Sequence, residues 1–362
     1  MVKNVYIHIP FCRQKCRYCS FVSFPCIEKK SEYLDALKKE IKSKYKGEKI
    51  ETLYFGGGTP SLLEVSEVEG LINIFNKEKF CEITLELNPE TVDEKYLKAL
   101  YEIGINRLSI GCQSFDDSIL KNIGRIHNSR QAINIVKLAK TIGFENINLD
   151  FIYGLPNQSC ESFINDLKKA AELDVQHISL YGLKIEEGCY FYNNPPENIA
   201  DSDVQADMYL AAIKTLTERD FEHYEISNFS KPNYNSKHNI NYWNNNTYYG
   251  FGLSAHGYFE GVRYANNTKL DLYMQNPYKP AQSHKLSVQE QLEEEIFLGF
   301  RKMQGINSKI INSKFNIDFD KKYSAILSKY LKSGHILKDE NIYKLSVEGV
   351  LVSNVILADF LE

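Results

Sequence analysis

Apolar segments alternate with amphipathic segments from residue 3 to about residue 185. The apolar segments are rich in Ile, Leu, Val and aromatic residues, a composition typical of buried β-strands. The segments between them have the apolar spacing of helices. The sequence therefore predicts six strands separated by helices. The predicted strands cover residues 5–9, 51–55, 82–87, 107–111, 147–154 and 177–183.

Several positions between the predicted strands indicate where helices begin and end. Ser or Thr followed three residues later by Glu is capping-box spacing, which predicts helix starts at Ser66 and Thr91. Asn128 is predicted to cap another helix, which Gly143 ends. The first helix has one apolar stripe, formed by Leu34, Leu37, Ile41 and Tyr45.

Six strand–helix units in succession predict a parallel sheet with helices packed against it. The pattern alone is also compatible with a doubly wound open sheet. Unusual polar residues fall at or just after the carboxyl ends of several strands, where barrels assemble their binding sites. We therefore expect an α/β fold built on a partial (β/α)6 barrel of the TIM type.

The pattern changes after residue 185. A helix is predicted over about residues 201–219, then a polar segment rich in aromatic residues, and helices again from about residue 287. The segment "HILKDENIYKLS" predicts a hairpin, and "VEGVLVSNVILADFL" predicts a last helix. We expect a barrel over residues 1–220, a connecting region over 221–285, and a smaller α+β, winged-helix-like domain over 286–362.

Composition and charge exclude several classes of protein. The 362 residues are 43% hydrophobic and 25% charged, with a net charge of −4, which favours a globular protein of about two domains. No apolar run approaches the ~18 residues of a membrane-spanning helix. Because the first strand is predicted to begin almost at Met1, no targeting segment is expected. Winged helices often bind DNA, but the C-terminal lysines are dispersed, so no nucleic-acid partner is expected.

Three of the eight cysteines, Cys12, Cys16 and Cys19, have C-x3-C-x2-C spacing. A [4Fe–4S] cluster normally takes four thiolates, so three thiolates from one loop would leave one iron open to a small molecule. Zinc is the alternative, with His8 as the nearest candidate for a fourth ligand. A disulfide framework is not expected, because the cysteine content is far below that of a small disulfide-stapled domain.

The other five cysteines are scattered along the chain and are expected to be small buried hydrophobic side chains. Unpaired cysteines and an oxygen-sensitive cluster both indicate a reducing, cytoplasmic environment. The scattered cysteines are Cys26, Cys81, Cys112, Cys160 and Cys189.

The segments around the three cysteines resemble a known family. "VYIHIPF" precedes them, and "YFGGGTPS" spans the end of the next predicted strand. Together they resemble the radical S-adenosylmethionine (SAM) enzymes, in the branch that holds the oxygen-independent coproporphyrinogen III oxidases and the HemW haem chaperones. The resemblance implies the same partial barrel, a [4Fe–4S] cluster on Cys12, Cys16 and Cys19, and SAM bound at the open iron.

The glycine-rich segment "GGGTP" directly follows a strand, and glycines let the backbone approach a ligand closely. The resemblance assigns Gly57, Gly58 and Thr59 to SAM. It also assigns Tyr6 to SAM, although the sequence alone would place Tyr6 in the core.

Two carboxylates lie within apolar strands, Glu86 and Asp150, and such groups are costly to bury unless they are paired. They would suit the ribose hydroxyls and the ammonium group of SAM, although a salt bridge from Glu86 to Arg107 is an alternative. Gln113 ends the fourth strand, and Arg125 could hold a carboxylate as a fork. In the family the positions of Glu86, Asp150, Gln113 and Arg125 line the SAM pocket.

Two features separate this chain from the oxidases of that branch. The oxidases carry a further cysteine two positions after the third, where this chain has Phe21. They also have an extension ahead of the barrel, whereas the first strand is predicted here from residue 3 or so. Both features resemble the HemW type, as does an H-N-x-x-Y-W segment associated with haem, formed by His238, Asn239, Tyr242 and Trp243.

Imidazole is a common axial ligand of haem iron, and aromatic residues surround His238 in the sequence. We therefore predict His238 as a haem ligand, with His256 as the rival candidate. His127 and His223 are expected to be structural. The aromatic residues near His238 could cover a porphyrin face or pack the C-terminal domain onto the barrel mouth.

The resemblance thus implies a radical SAM haem chaperone that carries haem as cargo to haem proteins. It also implies an electron donor such as a flavodoxin or a ferredoxin. The alternatives are coproporphyrinogen III oxidation and radical chemistry on another substrate. The sequence leaves open whether the chain forms a homodimer.

Overall fold

A computed structural model describes residues 2–361 of the chain. Six parallel strands lie side by side in chain order, which confirms the predicted α/β class. The strands are β1 (Asn4–Ile9), β2 (Ile50–Gly57), β3 (Lys77–Leu87), β4 (Arg107–Gln113), β5 (Ile147–Tyr153) and β6 (His177–Gly182).

Helices follow the strands and cover the outer face of the sheet. Buried Val, Ile, Leu and Phe side chains from strands and helices form one continuous core there, whereas the inner face carries polar residues. The helices are α1 (Lys30–Lys44), α2 (Val65–Ile72), α3 (Glu94–Glu102), α4 (Asp117–Asn122), α5 (Ser129–Ile142), α6 (Cys160–Glu172), α7 (Tyr190–Asn193) and α8 (Ser202–Thr217).

One predicted helix start is confirmed and two are wrong. Asn128 caps α5 in a capping box with Gln131, and Gly143 ends that helix in the left-handed conformation. Helix α2 begins after Glu64 rather than at Ser66, and α3 begins after Asp93 rather than at Thr91. In each case a carboxylate nearby supplies an acceptor for the first backbone N–H groups, so capping-box spacing alone was not decisive.

Residues 221–285, predicted as a connecting region, supply three strands to the main sheet. Its elements are β7 (Glu222–Glu225), β8 (Asn228–Ser230), α9 (Lys237–Trp243), β9 (Tyr249–Phe251), β10 (His256–Phe259), β11 (Val262–Ala265), α10 (Leu270–Gln275) and β12 (Gln282–Lys285). The full order of the sheet is β7-β8-β6-β5-β4-β3-β2-β1-β9, and β10, β11 and β12 form a separate antiparallel sheet.

The C-terminal region forms most of a second hydrophobic core, which Tyr209 of α8 joins, and it holds a small antiparallel sheet among its helices. Its elements are α11 (Val288–Gly299), β13 (Ile306–Asn307), α12 (Ser308–Phe315), α13 (Phe319–Lys322), α14 (Ser324–Lys332), β14 (Ile336–Asp339), β15 (Ile342–Leu345), α15 (Val347–Leu351) and α16 (Ser353–Ala358). Across residues 2–361, no helix is long and apolar enough to cross a membrane.

Helix α9 lies at the amino ends of the first three strands. The Asn4 side-chain amide donates to Asn241, and the Glu82 carboxylate accepts from the backbone N–H groups of Lys237 and His238. Asn4, Thr52 and Glu82 are register partners across β1, β2 and β3. Since the cysteine segment follows the carboxyl end of β1, α9 and the cysteines lie at opposite ends of the barrel.

Candidate cluster and cofactor site

The carboxyl ends of the strands surround a cavity of about 390 Å³. The cysteine segment forms one wall, and the inner faces of β2 to β6 form the others. All but one of the residues predicted for the cluster and SAM line this cavity. They are Cys12, Cys16, Cys19, Gly57, Gly58, Thr59, Glu86, Gln113, Arg125 and Asp150.

Backbone hydrogen bonds fix the cysteine segment at both sides. Cys12 N–H donates to Phe24 O at 3.0 Å, and Phe24 N–H donates to Pro10 O at 2.7 Å. Arg17 N–H donates to Ile123 O at 3.0 Å. The three thiols therefore project from a loop whose path is set by the chain on either side of it and by the segment after α4.

The thiols contact polar groups of the cavity wall. The Thr59 hydroxyl donates to Cys12 Sγ at 3.5 Å, and Arg125 Nη1 donates to Cys16 Sγ at 3.5 Å. Burial raises the pKa of Cys12 and raises the pKa of Cys19 to about 11. The thiol forms of Cys12 and Cys19 are therefore favoured, and binding of metal by these two side chains would release their protons.

Glycine is required beside the cysteine segment because the backbone of β2 approaches it closely. A Cβ on Gly58 would lie 2.6 Å from Phe11 O and 3.1 Å from Cys12 Sγ. Gly57 has a φ of +116°, and a Cβ there would lie 2.6 Å from the His8 ring. The "GGGTP" segment thus lies directly against the first cysteine, where only glycine fits.

His8, the candidate fourth ligand for zinc, is engaged by other groups. Its Nε2 is hydrogen-bonded to Val22 O at 3.0 Å and its Nδ1 to the Tyr6 hydroxyl at 3.0 Å. Burial lowers the pKa of His8 to about 4. These contacts argue against the zinc alternative. All eight cysteines are free thiols, as expected, although Cys26 and Cys160 are only partly buried.

Glu86 is held by hydrogen bonds rather than by the alternative salt bridge. Its carboxylate accepts from the Tyr54 hydroxyl at 2.8 Å and from Gly57 N–H at 3.0 Å. Burial and the nearby Asp150 carboxylate raise the pKa of Glu86 to about 7. Glu86 therefore titrates near neutral pH and connects β3 to the glycine-rich segment.

Asp150 occupies the facing wall of the cavity. Its carboxylate accepts from the Asn148 amide at 2.8 Å and from the Ser109 hydroxyl at 3.1 Å. Burial raises the pKa of Asp150, and these hydrogen bonds oppose the rise. The two predicted carboxylates thus lie in one cavity, each supported by neutral donors.

Arg125 does not form a fork with a protein carboxylate. Its Nη2 donates to Asn88 Oδ1 and to Gly111 O, each at 2.7 Å, while Nη1 reaches Cys16. Asn88 in turn donates to Thr59 Oγ1 at 3.1 Å. A chain of hydrogen bonds therefore joins the second cysteine to the glycine-rich segment.

Gln113 ends β4 with a φ of +68°, next to a register irregularity between β4 and β5. The irregularity lies between Gly111 and Gln113, where the strand reaches the cavity mouth. The Gln113 side chain lines the cavity, and its assignment to SAM stays a prediction.

Tyr6 is the one predicted SAM residue that does not line the cavity. Its hydroxyl is hydrogen-bonded to His8, and its ring stacks on Tyr54 with centroids 6.1 Å apart. Tyr6 therefore supports Tyr54 and His8 from behind, and its assignment to SAM stays a prediction.

Sequence reasoning missed several polar residues that build the cavity. Tyr54 and Asn88 support Glu86 and Arg125, and Ser109 and Asn148 support Asp150. Side chains alternate between the two faces of a strand, so the sequence already indicates which residues share the inner face. Tyr54 and Gly56, for example, lie on one face of β2. The inner face could thus have been listed residue by residue.

His238 is buried, with 1% of its surface exposed. Its Nδ1 is hydrogen-bonded to Thr52 Oγ1 at 2.7 Å and its Nε2 to the Tyr242 hydroxyl at 2.8 Å. Its ring stacks on Tyr54 with centroids 5.0 Å apart, and burial lowers the pKa to about 3. Haem ligation by His238 would therefore require Tyr242 or Thr52 to release a ring nitrogen.

The other residues of the H-N-x-x-Y-W segment contact different parts of the molecule. Asn239 lines the barrel cavity, whereas Trp243 lies beside Arg301, whose guanidinium is 5.5 Å from the ring. The aromatic residues pack α9 toward the C-terminal domain at the amino end of the barrel, not at its mouth. His256, the rival ligand, is exposed at the start of β10.

His127 and His223 occupy structural positions. His127 is buried and hydrogen-bonded to Cys112 O at 3.2 Å. The His223 ring stacks on Phe229 with centroids 4.4 Å apart.

Comparison with known proteins identifies two family matches. The family described as the radical SAM superfamily matches residues 6–170, and the HemN C-terminal domain matches residues 286–352. The chain is 35% identical to the haem chaperone HemW of Bacillus subtilis, covering 99% of both proteins. It is also 35% identical to the haem chaperone HemW of Lactococcus lactis, covering 99% of this chain and 97% of that protein.

Among solved structures, the coproporphyrinogen III oxidase HemN from Escherichia coli, described as a radical SAM enzyme, superposes with a TM-score of 0.89. The superposition covers 99% of this chain and 90% of HemN at 22% sequence identity. At that identity the likeness establishes the fold. The radical SAM family implies a [4Fe–4S] cluster and SAM.

Proposed function

This chain belongs to the HemW family of the radical SAM superfamily, and from that membership we propose that it is a haem chaperone, which binds haem and passes it to haem proteins. The observation that carries the proposal is the 35% identity over 99% of both chains to a protein named as a haem chaperone. The cavity with three thiols at its mouth supports the radical SAM part of the proposal.

The cluster would be held by Cys12, Cys16 and Cys19, and the donor set fits a cluster with one iron left for SAM. The three thiols lie on one loop and line the same cavity as the glycine-rich segment. When bound, the cluster supplies the electron that cleaves SAM. Thr59 and Arg125 each donate a hydrogen bond to a cysteine sulfur, so they would stabilise the thiolates.

The remaining cavity residues would bind and orient SAM. Gly57 and Gly58 let the glycine-rich segment lie directly against the cysteine loop, because any side chain there would clash with His8, Phe11 or Cys12. Glu86 and Asp150 present carboxylates to its cationic and hydroxyl groups. Gln113 closes the rim of the cavity. The walls exclude water from the reacting end of the ligand, a requirement of radical chemistry.

The oxidase alternative is supported less well by the residues at the mouth. Phe21 stands where the oxidases carry a further cysteine, and 68% of its surface is exposed. The relatives that match over the full length of the chain at 35% identity are named as chaperones.

The proposed function is tested by anaerobic reconstitution of the cluster, followed by haem titration and haem transfer. We expect saturable haem binding by absorbance and movement of that haem to an apo haem protein added later. A matched incubation with SAM, a reductant and coproporphyrinogen III separates the alternatives. Stoichiometric decarboxylation to protoporphyrinogen IX, or failure to bind haem, would contradict the chaperone assignment.

The haem ligand is tested by comparing His238→Ala with His256→Ala. Because both ring nitrogens of His238 are engaged and His256 is exposed, we expect His256→Ala to change the haem absorbance spectrum and weaken haem binding about tenfold or more. His335→Ala, in the C-terminal domain, is the control. A loss of affinity confined to His238→Ala would show that α9 opens to admit haem.

A further inference from the structure

A buried cation lies at the base of the barrel cavity, and nothing in the proposed SAM site uses it. Arg107 is the first residue of β4, has 2% of its surface exposed, and lines the cavity. Its Nε is buried without a hydrogen-bond partner. Within residues 2–361 the guanidinium forms neither a hydrogen bond nor an ion pair, although a buried charge is costly unless it is paired.

The nearby carboxylates do not satisfy this guanidinium. Arg107 lowers the pKa of both Glu86 and Asp150 at a distance. However, Glu86 is hydrogen-bonded to Tyr54 and Gly57, and Asp150 to Ser109 and Asn148. The planar donors of Arg107 are therefore available to a group in the cavity.

A second polar side chain faces the same space. Asn239 comes from α9 and lines the cavity. Its backbone N–H donates to Ser236, but its carboxamide makes no hydrogen bond within the described chain. A guanidinium from β4 and a free amide from the helix at the amino end thus line the same cavity.

We propose that Arg107 and Asn239 form a subsite for a carboxylate of a second ligand, distinct from SAM, in the floor of the barrel. A guanidinium matches a carboxylate in a bidentate fork, and the amide can donate to the same group. Glu86 and Asp150 make the cavity unfavourable for a more highly charged group such as phosphate. The subsite goes beyond haem delivery and does not depend on it.

The position of the subsite sets the order of binding. His238 and Ser236 of the α9 segment are buried beneath the cavity, so the ligand enters from the mouth. The residues proposed for SAM lie between the mouth and Arg107. The second ligand therefore binds before SAM and is trapped while SAM is bound.

Propionate is a suitable probe, with propionamide as its uncharged analogue. Binding to the anaerobically reconstituted protein is measured by saturation-transfer NMR, and SAM binding is measured separately. We expect propionate to bind and propionamide not to bind. Arg107→Gln should weaken propionate binding about tenfold or more, Arg107→Lys should weaken it less, and the exposed-site control Arg130→Gln should leave it unchanged.

Two results would overturn the subsite: unchanged propionate binding in both Arg107 variants, or a loss of SAM affinity in Arg107→Lys as large as the loss for propionate. The second result would assign Arg107 to SAM itself.

Competition separates two sources of the carboxylate. If metal-free protoporphyrin IX displaces propionate and its dimethyl ester does not, the subsite binds the carboxylate of a tetrapyrrole. If neither compound displaces propionate, the subsite binds a small free acid. Haem binding itself is tested independently by the titration.

Discussion

Single side chains in the cavity owe their properties to burial and to neutral hydrogen-bond donors. Glu86 and Asp150 form no ion pair with Arg107, the buried cation of the same cavity, and accept hydrogen bonds from hydroxyl and amide groups instead. Low-dielectric surroundings disfavour the charged form of a carboxylate. Burial therefore raises the pKa of both carboxylates, and that of Glu86 to about 7.

The pKa of about 7 at Glu86 predicts a pH-dependent affinity for SAM. The ionised carboxylate attracts the cationic groups of SAM, and this form is lost as the pH falls through about 7. We expect affinity to fall up to about tenfold for each pH unit below that value, as measured by isothermal titration. Glu86→Gln should remove the dependence, while the exposed control Glu94→Gln should keep it. An unchanged pH profile in Glu86→Gln would contradict this role.

At the scale of elements, the sequence predicted the existence of helices and strands better than their boundaries. Asn128 was recognisable because its side chain and Gln131 form a complete capping box. Ser66 and Thr91 had the right spacing, but Glu64 and Asp93 lie closer to the first free N–H groups. Spacing says which residue types are near a helix start, whereas the backbone path decides which of them caps it.

The two kinds of capping position make different predictions for stability. Asn128→Ala removes an acceptor for Gln131 N–H, and we expect it to lower the free energy of unfolding by about 1 kcal/mol. Ser66 lies inside α2 and is exposed. Ser66→Ala should therefore change the free energy of unfolding by no more than about 0.5 kcal/mol. Urea denaturation followed by circular dichroism measures both. Equal effects would mean that the cap of α5 is not stabilising.

At the scale of the whole molecule, the parallel sheet and the C-terminal unit could be predicted, but the role of residues 221–285 could not. Strands of three or four residues, such as β8 and β9, carry too little periodicity to be recognised. Their pairing with β6 and β1 joins residues far apart in the sequence. The cysteine and glycine segments were found because their chemistry is local in the sequence, whereas Arg107 and Asn239 come to line one cavity only in three dimensions.

The Arg263–Glu294 ion pair connects the small β10–β12 sheet to the C-terminal unit, beside a more exposed pair between His284 and Glu290. Arg263 donates from Nε and Nη2 to the Glu294 carboxylate, at 3.1 and 2.7 Å, and its guanidinium lies 3.9 Å from the centroid of the Tyr258 ring. Because the pair is bidentate, stacked and partly buried, it should stabilise the assembly of the two units.

Arg263→Gln should therefore lower the free energy of unfolding by about 1 kcal/mol, a value that allows for solvent screening of this partly exposed pair. The matched control is Lys314→Gln, which removes the more exposed pair with Glu295 and should cost at most about 0.5 kcal/mol. Thermal unfolding of both variants decides the comparison. If Lys314→Gln lowered the free energy of unfolding as much as Arg263→Gln does, the bidentate and stacked geometry of the Arg263 pair would add no stability.

The location of α9 gives the barrel an asymmetry with a mechanical consequence. The cysteines lie at the open end of the barrel cavity. Helix α9 lies at the other end, where its His238 imidazole is hydrogen-bonded to Thr52 and Tyr242. A partner that displaced Tyr242 would break its hydrogen bond to His238 and move the helix that also contributes Asn239 to the cavity wall. Events on the outer side of that helix are thus coupled to whatever the cavity contains.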